Sequence, residues 1–236
     1  MSNIAIIIAR SGSKRIKNKN IINFFSKPII SFSIKEAKKT NLFDKIFVST
    51  DSKKYLDIAK KYGADDYDIR KNFSGNGATT LQVMSYEITR LEKKNLKPKY
   101  VCCIYPAAPL IRGSDILKGF KKIKSQKFSY IFSAGRYSNS LEKAFSLSGK
   151  NNYLKMCFSK SKVNKLLRIK NGVFFDAAQF YWGKLNCWKR KDKIFSYKSS
   201  IIEIERDRLQ DINNKEDLKF SKKLFLLNKF LSKNKI

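Results

Sequence analysis

The amino-acid sequence predicts an α/β protein, a mostly parallel sheet with helices on both faces. Three patterns predict it. Short apolar runs recur, "NIAIIIA" at 3–9, "KIFVST" at 45–50, "YVCCIY" at 100–105 and "YIFSA" at 130–134, each suited to a strand buried on both sides. Stretches with helical spacing separate these runs, as in a parallel sheet. Each of the first three runs also ends in a polar or turn-forming segment, and ligands gather beyond the carboxyl ends of the strands in such sheets.

Taken in order, 28–41 reads as a helix, with Pro28 in its first turn and Ile30, Ile34 and Ala37 on one face. The second strand ends at Asp51, which reads as a turn residue. Residues 52–62 form a short amphipathic helix closed by Gly63. Leu81, Met84, Ile88 and Leu91 mark a longer helix from about 78 to 94, and Ile116, Phe120 and Ile123 place another after Gly113. From about 136 to 176 the chain is polar and basic without a helical period, which predicts an inserted β-rich arm or a mobile lid. "DAAQFYWG" at 176–183 and "SSIIEIE" at 199–205 return to extended character. A last helix over about 214–232 places Phe220, Leu224, Leu227 and Leu231 on one face, with Asn213 as N-cap and Glu216 as its capping-box partner. A length of 236 residues suits one domain, 1–236, with the arm inserted in it.

Composition narrows the function classes. A hydrophobic fraction of 42% supports a real core. The net charge of +32 points toward polyanions. However, the lysines are scattered and accompanied by abundant Asn, Ile and Phe, the mark of an AT-rich genome, which argues against a nucleic-acid partner. The absence of histidine excludes His bases and His metal ligands. Cys102, Cys103, Cys157 and Cys187 form no CxxC pair, so no zinc ribbon is indicated, and Cys102 and Cys103 read as core thiols. No run reaches the roughly 18 apolar residues of a membrane span. The first apolar run also passes straight into Arg10 rather than forming a secretory leader. The expectation is a cytoplasmic protein without a membrane partner.

The segment with the most chemistry is "ARSGSKRIKNKN" at 9–20. It has neither GxGxxG nor GxxxxGK[ST]. It still offers parts that a triphosphate needs: Gly12 for close backbone approach, the Ser13 hydroxyl, and the cations Arg10, Lys14 and Lys19. Asn20 carries a donor and an acceptor, which suits a base edge. The chemistry alone fits both an anion site and a solvated basic loop.

This loop closely resembles the signature of the nonulosonate cytidylyltransferases, enzymes that activate sialic-acid-type sugars with CTP. "VSTDS" at 48–52, "CIYPAAPL" at 103–110, "DAAQFYW" at 176–182 and "QDINNKEDL" at 210–218 resemble the family's later motifs in the same order. Tyr105 and "DAAQFYW" are most similar to the pseudaminic acid branch. The resemblance implies a Rossmann-like, three-layer nucleotidyltransferase fold with a small β-rich dimerisation arm at 136–176 and a homodimer. It implies that Arg10, Ser13 and Lys14 hold the CTP phosphates, that Lys19 and Asn20 face phosphate and cytosine, and that Arg70 lies near the nucleotide. Thr79, Thr80, Tyr105 and Gln179 would line the sugar pocket. Arg10, Lys14 and Asp211 would be the catalytic set, with Mg²⁺ on Asp211 and on Asn213 at the second metal-motif position.

The sequence departs from the family pattern at four places. Ile8 stands where Pro is usual, and "GNG" at 75–77 replaces acidic residues before the threonines. Phe175 stands where the pseudaminic branch has His. Asn213 replaces the second metal-motif Asp, and an amide is a poorer Mg²⁺ ligand than a carboxylate. The implied reaction is transfer of CMP from CTP to the anomeric hydroxyl of a nonulosonic acid. The alternatives are the same reaction on sialic, legionaminic or 3-deoxy-octulosonic acid, or a non-catalytic nucleotide- or nucleic-acid-binding protein.

Overall fold

A computed structural model describes residues 2–234 except 76, 126, 139, 140, 151, 170 and 171. Asn76 of the "GNG" stretch and five positions of the 136–176 arm therefore lie outside the described residues. The expected strands form one six-stranded sheet. It contains β1 (Asn3–Ile8), β4 (Lys45–Ser49), β5 (Tyr100–Ile104), β6 (Tyr130–Arg136), β9 (Phe174–Lys184) and β10 (Ser199–Glu203), in the order β10-β6-β9-β5-β1-β4. β1 pairs in parallel with β4 and β5, and β10 with β6. Only β9 runs against its two neighbours. The "DAAQFYW" strand thus starts at the edge of the sheet where the parallel strands end.

Both sheet faces are covered, which is why the runs are apolar without alternation. Ala5, Ile7, Cys102 and Ile104 meet α1 (Ile30–Lys39), α2 (Lys53–Lys61) and α4 (Gly113–Ser125) on one face. Ile4, Ile6, Val101 and Cys103 meet α3 (Thr80–Lys93) and α6 (Leu185–Arg190) on the other. Cys102 and Cys103 are buried and unpaired, as their apolar setting predicts. α2 ends as expected. Gly63 takes φ 94°, and Ala64 N–H returns to Ala59 O while Gly63 N–H returns to Lys60 O.

Four expectations are corrected. First, Pro28 does not open α1. It lies in β3 (Lys27–Pro28), paired with β2 (Asn23–Phe24), and the helix begins two residues later. Second, the arm, expected to be β-rich and without a helical period, also holds a helix. Its antiparallel hairpin, β7 (Phe145–Ser148) with β8 (Tyr153–Met156), is followed by the helix α5 (Lys160–Leu167). Third, α7 (Lys215–Asn234) packs through Leu218, Ser221 and Phe225, while Phe220 and Leu227 of the expected stripe are 50% and 43% exposed. A helix so rich in Leu and Phe on several sides carries more than one apolar stripe, and periodicity alone does not choose between them. Fourth, the cap of α7 is Asn214, whose Oδ1 accepts Asp217 N–H at 2.9 Å while Asp217 Oδ2 accepts Asn214 N–H at 2.9 Å. This reciprocal box sits one residue beyond the predicted pair of Asn213 and Glu216.

Candidate active site

The chain just beyond the carboxyl ends of β1 and β5, together with Ala178 of β9, lines a cavity of about 530 Å³. One wall is the loop after β1, contributing Arg10, Ser13, Lys14, Arg15, Lys19 and Asn20. This loop is held by short polar ties. Asp51 after β4 accepts Ser11 N–H at 2.8 Å and the Ser11 hydroxyl at 2.9 Å, so it shapes the turn as expected. Buried Asn20 donates to Arg10 O at 2.9 Å. A Cβ at Gly12 would meet nothing within 4 Å, so the loop backbone is bare on that side.

The loop is also joined to the segment before α7. Lys19 Nζ donates to Ile212 O at 2.8 Å, and Arg15 donates to Asn213 Oδ1 at 2.8 Å. Burial pushes the Lys19 ammonium down, Asp211 opposes that shift, and Arg15 and Arg10 add to it. Arg70 approaches from beneath. It is 2% exposed and donates to Ser49 O at 3.0 Å and Ser49 Oγ at 2.6 Å. Ser49 Oγ in turn donates to the buried carboxylate of Glu87 at 2.7 Å, which also holds Tyr67 and Arg90. The Arg70 Nε is buried and has no hydrogen-bond partner among the described residues.

The opposite wall is neutral. Thr80, Tyr105, Ala178 and Val83 line it. The Thr80 and Tyr105 hydroxyls lie 2.7 Å apart. Behind them the Tyr181 hydroxyl bonds to Asp176 Oδ2, and Ala178 N–H donates to Asp176 Oδ1 at 2.9 Å. Burial raises the Tyr105 phenol to about 12 and raises the Tyr181 phenol further. Burial also raises the Asp176 carboxyl, while its two donors hold it back.

Ten of the residues singled out in the sequence line this cavity: Arg10, Ser13, Lys14, Lys19, Asn20, Arg70, Thr80, Tyr105, Asp211 and Asn213. Thr79 and Gln179 do not. Thr79 is the exposed N-cap of α3. Its Oγ1 accepts Gln82 N–H at 3.3 Å and its own N–H donates to Gln82 Oε1 at 2.8 Å. Gln179 is buried with Nε2 on Arg208 O at 2.8 Å. The cause is a bulge in β9, where Ala178 takes φ 49° and Ser133 Oγ accepts both Gln179 N–H and Phe180 N–H. The bulge turns Ala178, not Gln179, to the cavity.

Asn213, expected at the second metal-motif position, has both ends of its amide engaged within the protein. Its amide donates to Asp211 Oδ2 at 2.6 Å, and its oxygen is taken by Arg15. Among the described residues no three acidic or cysteine side chains cluster as a metal cage. Among the described residues that line the cavity, Asp211 is the only carboxylate. One carboxylate completed by phosphate oxygens and water is still a normal Mg²⁺ arrangement, so the donor set fits that ion through Asp211.

Residues 4–236 match the family model described as cytidylyltransferase. The chain is 34% identical over 229 residues to the pseudaminic acid cytidylyltransferase of Campylobacter jejuni serotype O:2, spanning 97% of this chain and 98% of that protein. It is 38% identical over 214 residues to a Helicobacter pylori protein named pseudaminic acid cytidylyltransferase and UDP-2,4-diacetamido-2,4,6-trideoxy-beta-L-altropyranose hydrolase. That match spans 90% of this chain and 40% of the longer protein. A CMP:2-keto-3-deoxy-manno-octonic acid synthetase solved in complex with CTP superposes with a TM-score of 0.69 at 11% identity, over 97% of this chain and 100% of the other. At that identity the likeness speaks for the fold.

Proposed function

This chain belongs to the cytidylyltransferase family, and on that premise we propose that it transfers CMP from CTP to the anomeric hydroxyl of pseudaminic acid. The observation that carries this reading is the cavity itself, with a cationic loop on one wall, paired hydroxyls on the other and Asp211 at its edge. CTP binds with its phosphates against Arg10, Ser13, Lys14 and Lys19. Asn20 and Arg70 lie on the nucleotide side. The sugar lies against Thr80 and Tyr105. The anomeric oxygen bonds to the α-phosphorus, the bond from that phosphorus to the bridging oxygen of the β-phosphate breaks, the electron pair leaves on pyrophosphate, and the hydroxyl proton passes to solvent. The loop cations neutralise charge that builds on the phosphates, and the walls hold the two reactants in line. Asp211 would anchor Mg²⁺, which when bound supplies further phosphate neutralisation; Asn213 orients Asp211.

The test is pyrophosphate release from CTP against a panel of pseudaminic, sialic, legionaminic and 3-deoxy-octulosonic acids. Turnover with pseudaminic acid alone or fastest is expected. Preference for another acid would move the sugar assignment while keeping the reaction. CTP-independent, steeply salt-sensitive binding of polynucleotides would favour a binding protein instead.

The reading extends to a homodimer acting in the cytoplasm. Across β7 and β8, Phe145 faces Met156 and Leu147 faces Leu154, and these four are 48–62% exposed on one side of a two-stranded hairpin. A hairpin of this size is marginal alone, and a second copy would cover the apolar side. We expect light scattering at micromolar concentration to report a dimer and Leu147→Glu to yield a monomer. A monomeric parent protein would remove this element.

A further inference from the structure

Arg70 lines the cavity as a buried cation that touches no carboxylate directly among the described residues. Its Nη1 rests on Ser49 O at 3.0 Å and Ser49 Oγ at 2.6 Å, and its Nε has no hydrogen-bond partner among the described residues. A buried charge held in this way is costly unless a counter-charge stands close behind it. That counter-charge is Glu87 on α3, fully buried and one hydroxyl away. Resting on the reading above that Arg70 serves the nucleotide, we propose that Glu87 is a positioning residue for CTP, which acts through the Ser49 hydroxyl to hold the Arg70 guanidinium in place at the cavity.

The hydrogen bonds fix the direction of the relay. An ionised carboxylate only accepts, so the single proton of Ser49 Oγ goes to Glu87 Oε1 at 2.7 Å. The lone pairs of Ser49 Oγ are then left for Arg70 Nη1, which can only donate. Without the carboxylate the hydroxyl can turn its proton toward the guanidinium and repel it. Glu87 itself cannot swing. Tyr67 donates to Oε2 at 2.7 Å, and Arg90 Nη1 reaches both oxygens at 3.0 and 3.1 Å. Arg90 is held in turn by Asp68 O at 2.7 Å and lies over the Tyr67 ring, 4.4 Å from its centroid. Arg70 N–H donates to Thr50 O at 2.7 Å, so its backbone and its side chain are both tied at the carboxyl end of β4. One carboxylate thus serves two arginines. The direct pair with Arg90 is enough to keep Glu87 buried and charged; the bond through Ser49 adds the aim of Arg70.

The test is a double-mutant cycle read as CTP affinity by calorimetry. We expect Ser49→Ala and Glu87→Gln each to weaken CTP binding about tenfold, the scale of one charge-assisted contact, with the sugar KM unchanged. In an Arg70→Ala background the same two substitutions should alter CTP affinity less than about twofold, because a residue that acts through Arg70 has nothing left to act on. Losses that add to that of Arg70→Ala, or that fall equally on CTP and sugar, are what a purely structural role gives, and either would overturn the proposal. Ser49→Ala removes one hydroxyl and leaves Glu87 its Tyr67 and Arg90 partners, so it carries the cycle if Glu87→Gln does not fold. If the wild type binds no CTP, the nucleotide reading fails by itself. The relay is then decided by ¹⁵N relaxation of the assigned Arg70 Nε–H, which needs neither ligand nor an Arg70 variant. Its order parameter should fall in Ser49→Ala, and an unchanged value would overturn the proposal.

Discussion

The two walls of the cavity are built in opposite ways. The loop wall gathers its cations from one stretch, residues 10–20, and ties them down with backbone carbonyls and the Asp51 carboxylate. The hydroxyl wall gathers hydroxyls from three separate elements: Thr80 on α3, Tyr105 after β5, and behind them Tyr181, bonded to the Asp176 carboxyl, on β9. Lys14 on the first wall is exposed, whereas the second is backed by core. Charged contacts act over distance and tolerate loose placement, while hydroxyl rows need each partner at hydrogen-bond range. The loop wall can thus lose one cation and keep its form.

Arg70 breaks the contrast, because it is a cation of the nucleotide side built like the opposite wall. It is buried and braced by Ser49 and, through it, Glu87. Arg70→Ala should therefore cost both stability and CTP affinity. Removing one member of a buried charged network costs about 3 kcal/mol, which for a chain of this size lowers the melting temperature by roughly 6–12 °C. Calorimetry and thermal melts should move together; a melt that does not move would show that Ser49 and Glu87 do not depend on Arg70.

Lys14→Ala sharpens the contrast from the other side. Lys14 lines the cavity and is exposed. Its loss should weaken CTP binding by about 2 kcal/mol, the scale of one charge-assisted phosphate contact, and leave melting temperature and sugar KM unchanged. Unaltered CTP affinity in the folded variant would remove the loop from the phosphate site.

The same contrast explains what was legible in the sequence. The loop wall lies in one continuous motif, so its residue types and spacing could be read before any fold was known. The strands were equally clear, because burial on both faces leaves uninterrupted apolar runs. The hydroxyl wall was legible only in part. Asp176 and Tyr181 are five residues apart, which in a regular strand places them on opposite faces; the bulge at Ala178 brings them together. The same bulge withdraws Gln179. Arg15 and Phe73 also line the cavity and carried no separate signal, Arg15 because it sits among other cations and Phe73 because its loop has no period.

Thr79 and Thr80 divide the contrast within two adjacent residues. Thr79→Ala removes a capping-box side chain and should cost about 1 kcal/mol of stability, with both KM values unchanged. Thr80→Val keeps shape, removes the hydroxyl 2.7 Å from Tyr105, and should raise the sugar KM severalfold with little change in melting temperature. Activity and melts of the pair decide this. A sugar effect from Thr79→Ala would mean that α3 starts differently when substrate is bound.

The smallest effect concerns the edge where the walls meet. Asn213 donates to Asp211 at 2.6 Å and accepts from Arg15 at 2.8 Å, so it joins the loop cations to the one lining carboxylate. The cap of α7 belongs to Asn214 and Asp217, so Asn213→Asp leaves the helix start untouched. The substitution replaces a donor facing Asp211 with a second carboxylate. Without a divalent ion the two carboxylates repel each other, and the added negative charge should weaken CTP binding. With Mg²⁺ the same pair becomes a better anchor, since hard anionic oxygens suit the ion more than an amide does. Arg15 keeps a partner in either case, now a charged one. We therefore expect the Mg²⁺ concentration for half-maximal pyrophosphate release to fall severalfold in Asn213→Asp, while CTP affinity measured in chelator falls as well. The opposed directions are what distinguish a metal-linked position from a surface charge, which would move both measurements the same way. An equal or higher Mg²⁺ requirement in the variant would place the ion away from the segment 211–213 and leave Asp211 as a residue of the loop tie alone.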